Sequence, residues 1–154
     1  MSSPAEMTPR ERNDAALARI RGGPLQPHRE GGYVLRVLST PGRRTGQSQT
    51  WPIAVIQWHG GHYVCAPNRR RDWVRNLLAA GWCTVEGEQP SRHDATLVET
   101  PAAAEAVASY LGSLQRRSTS SAWPFPRDAP PEQVGQHLSE IAVFELTPAQ
   151  EERH

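Results

Sequence analysis

The sequence predicts a mainly β, α+β domain: about six antiparallel strands closed into a barrel, with two or three flanking helices at its rim. Three observations carry this. Short apolar or alternating stretches recur between turns rich in glycine and proline. They succeed one another as hairpins, not as strand–helix–strand crossovers. The length of 154 residues suits one domain able to bury its own core.

Residues 1 to 9 are small, polar and twice prolyl, and read as disordered. A helix is expected over 10–21, where Ala15, Ala16, Leu17 and Ile20 share one side, and Gly22-Gly23-Pro24 ends it. Tyr33 to Ser39 alternates, with Tyr33, Leu35 and Val37 on one face and Arg36 on the other. Pro41-Gly42 and Gly46 turn the chain into a second strand, Thr50 to Trp58, with Pro52 near its start. His59-Gly60-Gly61-His62 reads as a hairpin turn whose paired glycines supply positive φ, and Tyr63 to Ala66 returns from it.

Asp72 to Ala80 is helical, with Trp73, Val74, Leu77 and Leu78 in one stripe and Gly81 as the stop. Trp82 to Glu86 and Arg92 to Glu99 are strands joined by Gly87 to Pro90. Thr100 is an N-cap with Pro101 at the first helical position, and that helix runs to about Leu114. Residues 115–135 read as a long loop with Trp123 and Phe125 embedded, and Glu140 to Leu146 is the last strand. The resulting division is a tail and helix over 1–24, the barrel domain over 25–147 and a polar tail over 148–154.

Seventeen Lys and Arg against 16 Asp and Glu give a formal charge of +1, which argues against a nucleic-acid partner or a membrane surface. No stretch approaches the roughly 20 apolar residues of a membrane span, and the charged N-terminus lacks a signal peptide's apolar run. Two cysteines are too few for a disulfide framework, so a reduced, cytoplasmic protein is expected. Cys65 and Cys83 read as small apolar residues rather than nucleophiles. His59 and His62 lie in a glycine turn without a third ligand, so no metal is expected there.

Chemistry concentrates in Gly42-Arg43-Arg44-Thr45-Gly46. Glycines admit close backbone approach, and arginines pair bidentately with phosphate or carboxylate. The same pattern also fits a solvated basic hairpin tip. Arg69-Arg70-Arg71 extends the basic character at a helix start, where three positive charges oppose the macrodipole. His137 precedes the last strand and is the candidate proton donor.

The run from Leu38 through Ser39-Thr40-Pro41-Gly42-Arg43-Arg44-Thr45-Gly46 to Gln49, Pro52 and Ile53 resembles the "T-x-G-R-K/R-S/T-G-x-x-R-x-x-P-L" signature of the deazaflavin-dependent nitroreductases. Tyr63 to Asn68 looks like that family's strand before the cofactor loop. Asp72-Trp73-Val74-Arg75-Asn76-Leu77 is similar to its "x-W-x-x-N-L" helix, and Ile141 to Leu146 looks like its closing "I-P-V-V-x-L" strand. The likeness covers about residues 33 to 146. It implies a split β-barrel that binds the deazaflavin coenzyme F420, whose phosphate and polyglutamate tail suit a basic grip. It assigns Arg43, Arg44 and Thr45 to the anionic part, with Gln49 at the place of the signature's second basic residue; the arginine run, Arg69 first, would extend that grip toward the tail. Ala66, Pro67 and Asn68 fall along the ring, and Trp73 and Asn76 support the site. Trp51, Trp123 and Phe125 are the candidates for a substrate pocket; Trp123 and Phe125 either form a lid over a hydrophobic substrate or pack against the barrel.

The redox members pass a hydride from the reduced coenzyme to an electron-poor acceptor, here a hydrophobic, conjugated small molecule. The chain departs from the signature at Gln49, Trp51 and Pro67. Those changes favour a second reading, a cofactor-free barrel acting as a cyclase, isomerase or small-molecule binder. Flavin mononucleotide (FMN) is the alternative cofactor. Related flavin barrels are often dimers while the deazaflavin branch need not be, which leaves a homodimer open.

Overall fold

A computed structural model describes residues 7–114 and 122–149. The elements in chain order are α1 (Pro9–Gly22), β1 (Tyr33–Pro41), β2 (Ser48–Trp58), β3 (Gly61–Ala66), α2 (Asp72–Ala80), β4 (Trp82–Val85), β5 (Ser91–Leu97), α3 (Pro101–Ser113), α4 (Pro131–Gly135) and β6 (Ala142–Pro148). The strands close as a barrel in the order β1-β2-β3-β6-β5-β4, antiparallel at every contact. The expected mainly β, α+β split barrel of six strands is therefore present, with four helices among the described residues rather than two or three.

Local chemistry explains most boundaries. Thr8 caps α1: its hydroxyl accepts from Glu11 N–H at 3.1 Å, and the Glu11 carboxylate accepts from Thr8 N–H at 3.1 Å. Such a reciprocal cap is worth about 1 kcal/mol. It orders Thr8 and Pro9, a correction to the expected disorder over 1–9; residues 1–6 of that expectation lie outside the described residues. Thr100 caps α3 by accepting from Ala103 N–H, and Gly81 ends α2 at φ +77°, both as expected. At the β2–β3 turn the positive φ values fall on His59 (+49°) and Gly60 (+79°), so only the first of the paired glycines takes one. Glu30 anchors that turn by accepting from both N–H groups, at 2.6 and 2.9 Å.

Three further expectations change. Strand β2 begins at Ser48, so Pro52 stands mid-strand opposite Val37. Proline has no N–H to give, and the Val37 carbonyl accepts from Glu86 N–H at 2.9 Å. Residues 131–135 form the short helix α4 inside the expected loop, started by Pro130-Pro131; residues 115–121 of that loop lie outside the described residues. Arg36 keeps the face opposite Leu35, but that face is the barrel interior: Arg36 is 6% exposed and Leu35 47%.

Two cores result. Inside the barrel lie Val34, Leu38, Trp51, Val55, Val64, Phe144 and Leu146, closed at one end by Val74 and Leu77 of α2. Outside, α3 and α4 cover Ile56, Tyr63 and Val143 with Ala103, Val107, Leu111 and Val134. Each large side chain buried this way stabilises by about 1.5–3 kcal/mol. Strand directions define two barrel ends. One, under α2, carries Pro41, Ser48, Ala66, Trp82 and Ala142; the other carries Tyr33, Trp58, Gly61, Val85 and Ser91.

Candidate functional site

The β1–β2 hairpin curls at Gly42 and Gly46: Gly46 takes φ +76°, and Gly42 N–H donates to Gln47 O at 2.8 Å. This sets the tip against the start of α2. Arg43 donates to the Asn76 side-chain oxygen twice, from its backbone N–H at 3.0 Å and its guanidinium at 2.8 Å. A second guanidinium nitrogen lies 3.3 Å from Asp72. Arg43 and buried Asn76 thus clamp hairpin to helix. Both were expected at the cofactor, and the Asn76 side-chain oxygen is instead taken up by Arg43.

Arg69 is used similarly. It donates to Ile141 O and Leu138 O, both at 2.8 Å, and reaches Glu99 at 3.3 Å. It stitches the β3–α2 loop to the segment before β6. That stitch brings His137, one residue from Leu138, to the same end of the barrel. His137 pairs through Nδ1 with Glu140 and packs against Phe125 at 5.6 Å.

What stays available is a rim of cations. The Arg43–Asp72 pair puts Arg44 and Arg71 each one residue from the clamp, and Arg70 follows Arg69. The guanidinium groups of exposed Arg44, Arg70 and Arg71 make no hydrogen bond or ion pair among the described residues. Thr45 accepts from Gln47 N–H at 3.2 Å, and the Gln49 amide donates to Gln47 O at 3.3 Å, both at the exposed tip. Ala66 and Pro67 are buried where β3 ends, and Asn68 accepts from Arg70 N–H at 2.9 Å. Sequence reasoning named the triple arginine but carried only Arg69 to the site; Arg70 and Arg71 are the two left unpaired.

Beneath the rim, Trp51 stacks on Trp73 with centroids 5.3 Å apart and planes 19° apart. Trp73 also touches Phe144. The Trp51 indole N–H is buried and donates to nothing among the described residues. A buried, unmatched donor is costly, and it marks a place where an acceptor would be stabilised. Trp123 and Phe125, 5.8 Å apart, pack instead on the outer core under α3 and α4. Of the two readings for Trp123 and Phe125, packing against the barrel is the one found, so they do not share a pocket with Trp51.

Both thiols are reduced, and burial pushes those of Cys65 and Cys83 up to about 12, in line with an apolar role. No helix among the described residues is long and apolar enough to cross a membrane. Two cavities lie away from the arginine rim. One, about 1020 Å³, is a cleft between the α1–β1 connection and the outside of β1. The other, about 320 Å³, opens at the barrel end opposite α2 among His28, Arg36, His62 and His93. Sequence reasoning missed this second cluster; an arginine embedded in Val34-Leu35-Arg36-Val37-Leu38 is the signal that pointed to it.

No protein-family model matches the chain, and no curated protein matches it by sequence. Among solved structures, it is similar to a heme binding protein from Mycobacterium smegmatis at 14% identity and a TM-score of 0.48, covering 73% of this chain. The chain spans 45% of that protein's length. It is similar to an F420 reductase at 14% identity and a TM-score of 0.44, over 86% of this chain and 93% of the other. It is also similar to a pyridoxamine 5'-phosphate oxidase-related, FMN binding protein from Nostoc punctiforme at 11% identity and a TM-score of 0.48, over 93% and 82%. At these distances the likeness extends to no residue's role.

Proposed function

We propose that this protein is an oxidoreductase that holds the deazaflavin coenzyme F420 by its anionic part on the rim of Arg44, Arg70 and Arg71. The carrying observation is that Arg44 and Arg71 each stand one residue from the Arg43–Asp72 contact, and the guanidinium groups of Arg44, Arg70 and Arg71 make no ion pair among the described residues. Guanidinium groups held this way suit phosphate and glutamate oxygens, because two parallel N–H donors match two oxygens. The buried Trp51 N–H fits an acceptor on a ring settling beside Trp73. Ala66, Pro67 and Asn68 would border that ring, and Thr45 and Gln49 would flank the tail. Arg43, Asn76 and Arg69 act as positioning residues, since their polar groups already hold the hairpin, helix and loop together.

When bound and reduced, the coenzyme supplies a hydride to an electron-poor, conjugated acceptor. The chain contributes the anchor, the aromatic floor and His137, whose ring pairs with Glu140 and is the candidate donor of the accompanying proton.

The test is a titration of the protein with oxidised F420 and, separately, with FMN, followed by tryptophan fluorescence. Saturable quenching by F420 supports the reading; saturation by FMN alone moves the assignment to a flavin enzyme. A second reading, a cofactor-free barrel binding a small molecule, is favoured by the direct Trp51–Trp73 stack and by Pro67, which lacks a backbone donor. Binding of neither coenzyme would overturn the first reading and leave the second.

A further inference from the structure

The barrel end away from α2 holds a second concentration of chemistry, independent of the arginine rim. Arg36 projects into the interior from β1 and is 6% exposed. It donates to the Leu35 carbonyl at 3.1 Å and to the Gln26 carbonyl of the α1–β1 connection. These bonds account for two of its five N–H groups. No carboxylate pairs with it among the described residues. A guanidinium withdrawn from water without a counter-ion is strongly disfavoured unless something of opposite charge joins it.

Three histidines share that end. His28 comes from the connection, His62 from the start of β3 and His93 from β5. The rings of His28 and His62 stack at 4.3 Å. Together with Arg36 they line a cavity of about 320 Å³ floored by Val55, Val85 and Leu146. Two carboxylates come close, and Glu86 is itself part of the cavity lining. Glu86 is engaged by Arg21 at 2.6 Å, and Glu30 by the N–H groups of His59 and Gly60. Neither neutralises Arg36. The positive Arg36 also opposes a metal cation among these histidines, and no group of three metal-ligand side chains is suitably placed among the described residues. Desolvation pushes His28 down to about 4, with His62, Arg36 and His93 adding to the shift, and His62 is lowered for similar reasons. The cation of this pocket is thus Arg36, and no carboxylate pairs with it among the described residues.

We propose that this barrel end binds a phosphate-bearing small molecule, its phosphate on Arg36 and the ring N–H groups of His28, His62 and His93. His62 Nε2 meets Gln57 Oε1 at 3.1 Å and His93 Nδ1 donates to the Ser91 carbonyl at 3.3 Å, so these two rings offer their other nitrogen, protonated as the phosphate binds; with Arg36 and His28 the donors come from four chain segments. A tetrahedral group with several oxygens meets more of them than a planar carboxylate does. The apolar floor then receives a small organic remainder.

The experiment titrates the full chain with inorganic phosphate, and in parallel with acetate, at constant ionic strength, following the histidine ring C–H signals by NMR. Phosphate is expected to shift the His28 and His62 signals saturably and to raise both pKa values, while acetate binds at least tenfold more weakly. Arg36→Met should lower phosphate affinity tenfold or more. Should that variant not fold, His93→Gln, at a half-exposed position, is expected to weaken phosphate severalfold while leaving the thermal midpoint in chloride unchanged. No saturable shift with phosphate, equal binding of acetate, or unchanged affinity in the variant that folds would overturn the proposal.

Discussion

Replacing Asn76 by alanine isolates the clamp that sets the geometry of the arginine rim. Its side-chain oxygen accepts from the Arg43 backbone N–H at 3.0 Å and the Arg43 guanidinium at 2.8 Å, and the residue is 6% exposed. A neutral hydrogen bond is worth about 1 kcal/mol net and one from a charged donor about 1.5–3 kcal/mol. Alanine returns about 0.5 kcal/mol through better helix propensity. The expected loss is therefore about 2–3.5 kcal/mol. The Arg43–Asp72 contact contributes little by comparison: the Asp72 side chain is 88% exposed, and such pairs are worth about 0–1 kcal/mol. Urea unfolding measures this. With a slope near 2 kcal/mol/M, Asn76→Ala should lower the midpoint by about 1–2 M, and Asp72→Asn by less than about 0.5 M. If Asn76→Ala unfolds within about 0.3 M of the unmodified protein, or Asp72→Asn is equally harmful, Asn76 is not the clamp and Arg43 is available to a ligand.

Arg44→Ala should leave the urea midpoint unchanged yet weaken F420 by about 1.5–3 kcal/mol, roughly tenfold to over a hundredfold. Calorimetric titration reads this, and unaltered affinity would remove Arg44 from the grip. Phe144→Ala, at a fully buried interior position, should cost about 3–5 kcal/mol in denaturant unfolding. Gly81→Ala should cost about 1 kcal/mol, because φ is +77° while no atom crowds the added methyl; a neutral result would mean α2 ends without that conformation. For pH, the unfolded chain protonates His28 near its ordinary 6.5, whereas the folded chain resists until about 4. The stability linked to neutral His28 is complete above pH 6.5 and is lost as pH falls through that window. His28→Gln in phosphate-free buffer should flatten the decline between pH 7 and 4.5; an identical decline would show that His28 does not drive it.

Much of the fold is legible in the sequence because local chemistry dictates it. Thr100-Pro101 starts a helix, Gly81 stops one, and alternating or apolar stretches between turn residues become strands. The basic tip at Arg43-Arg44 and its facing helix were visible for the same reason, since glycines and arginines keep their chemistry in any context. Side-chain employment was not visible. Arg43, Arg44, Arg69, Arg70 and Arg71 are alike in sequence. Only the tertiary structure gives Arg43 to Asn76 and Arg69 to the Leu138 and Ile141 carbonyls, leaving the other three guanidinium groups unpaired among the described residues. Alternation likewise separates Arg36 from Leu35 but cannot say which face is interior. That depends on barrel closure, set by the pairing of β3 with β6 and of β1 with β4 across long chain separations. The same closure brings His28, His62 and His93 together. Local preference determined the elements; where each charge ended up was decided by which distant strand lay beside it.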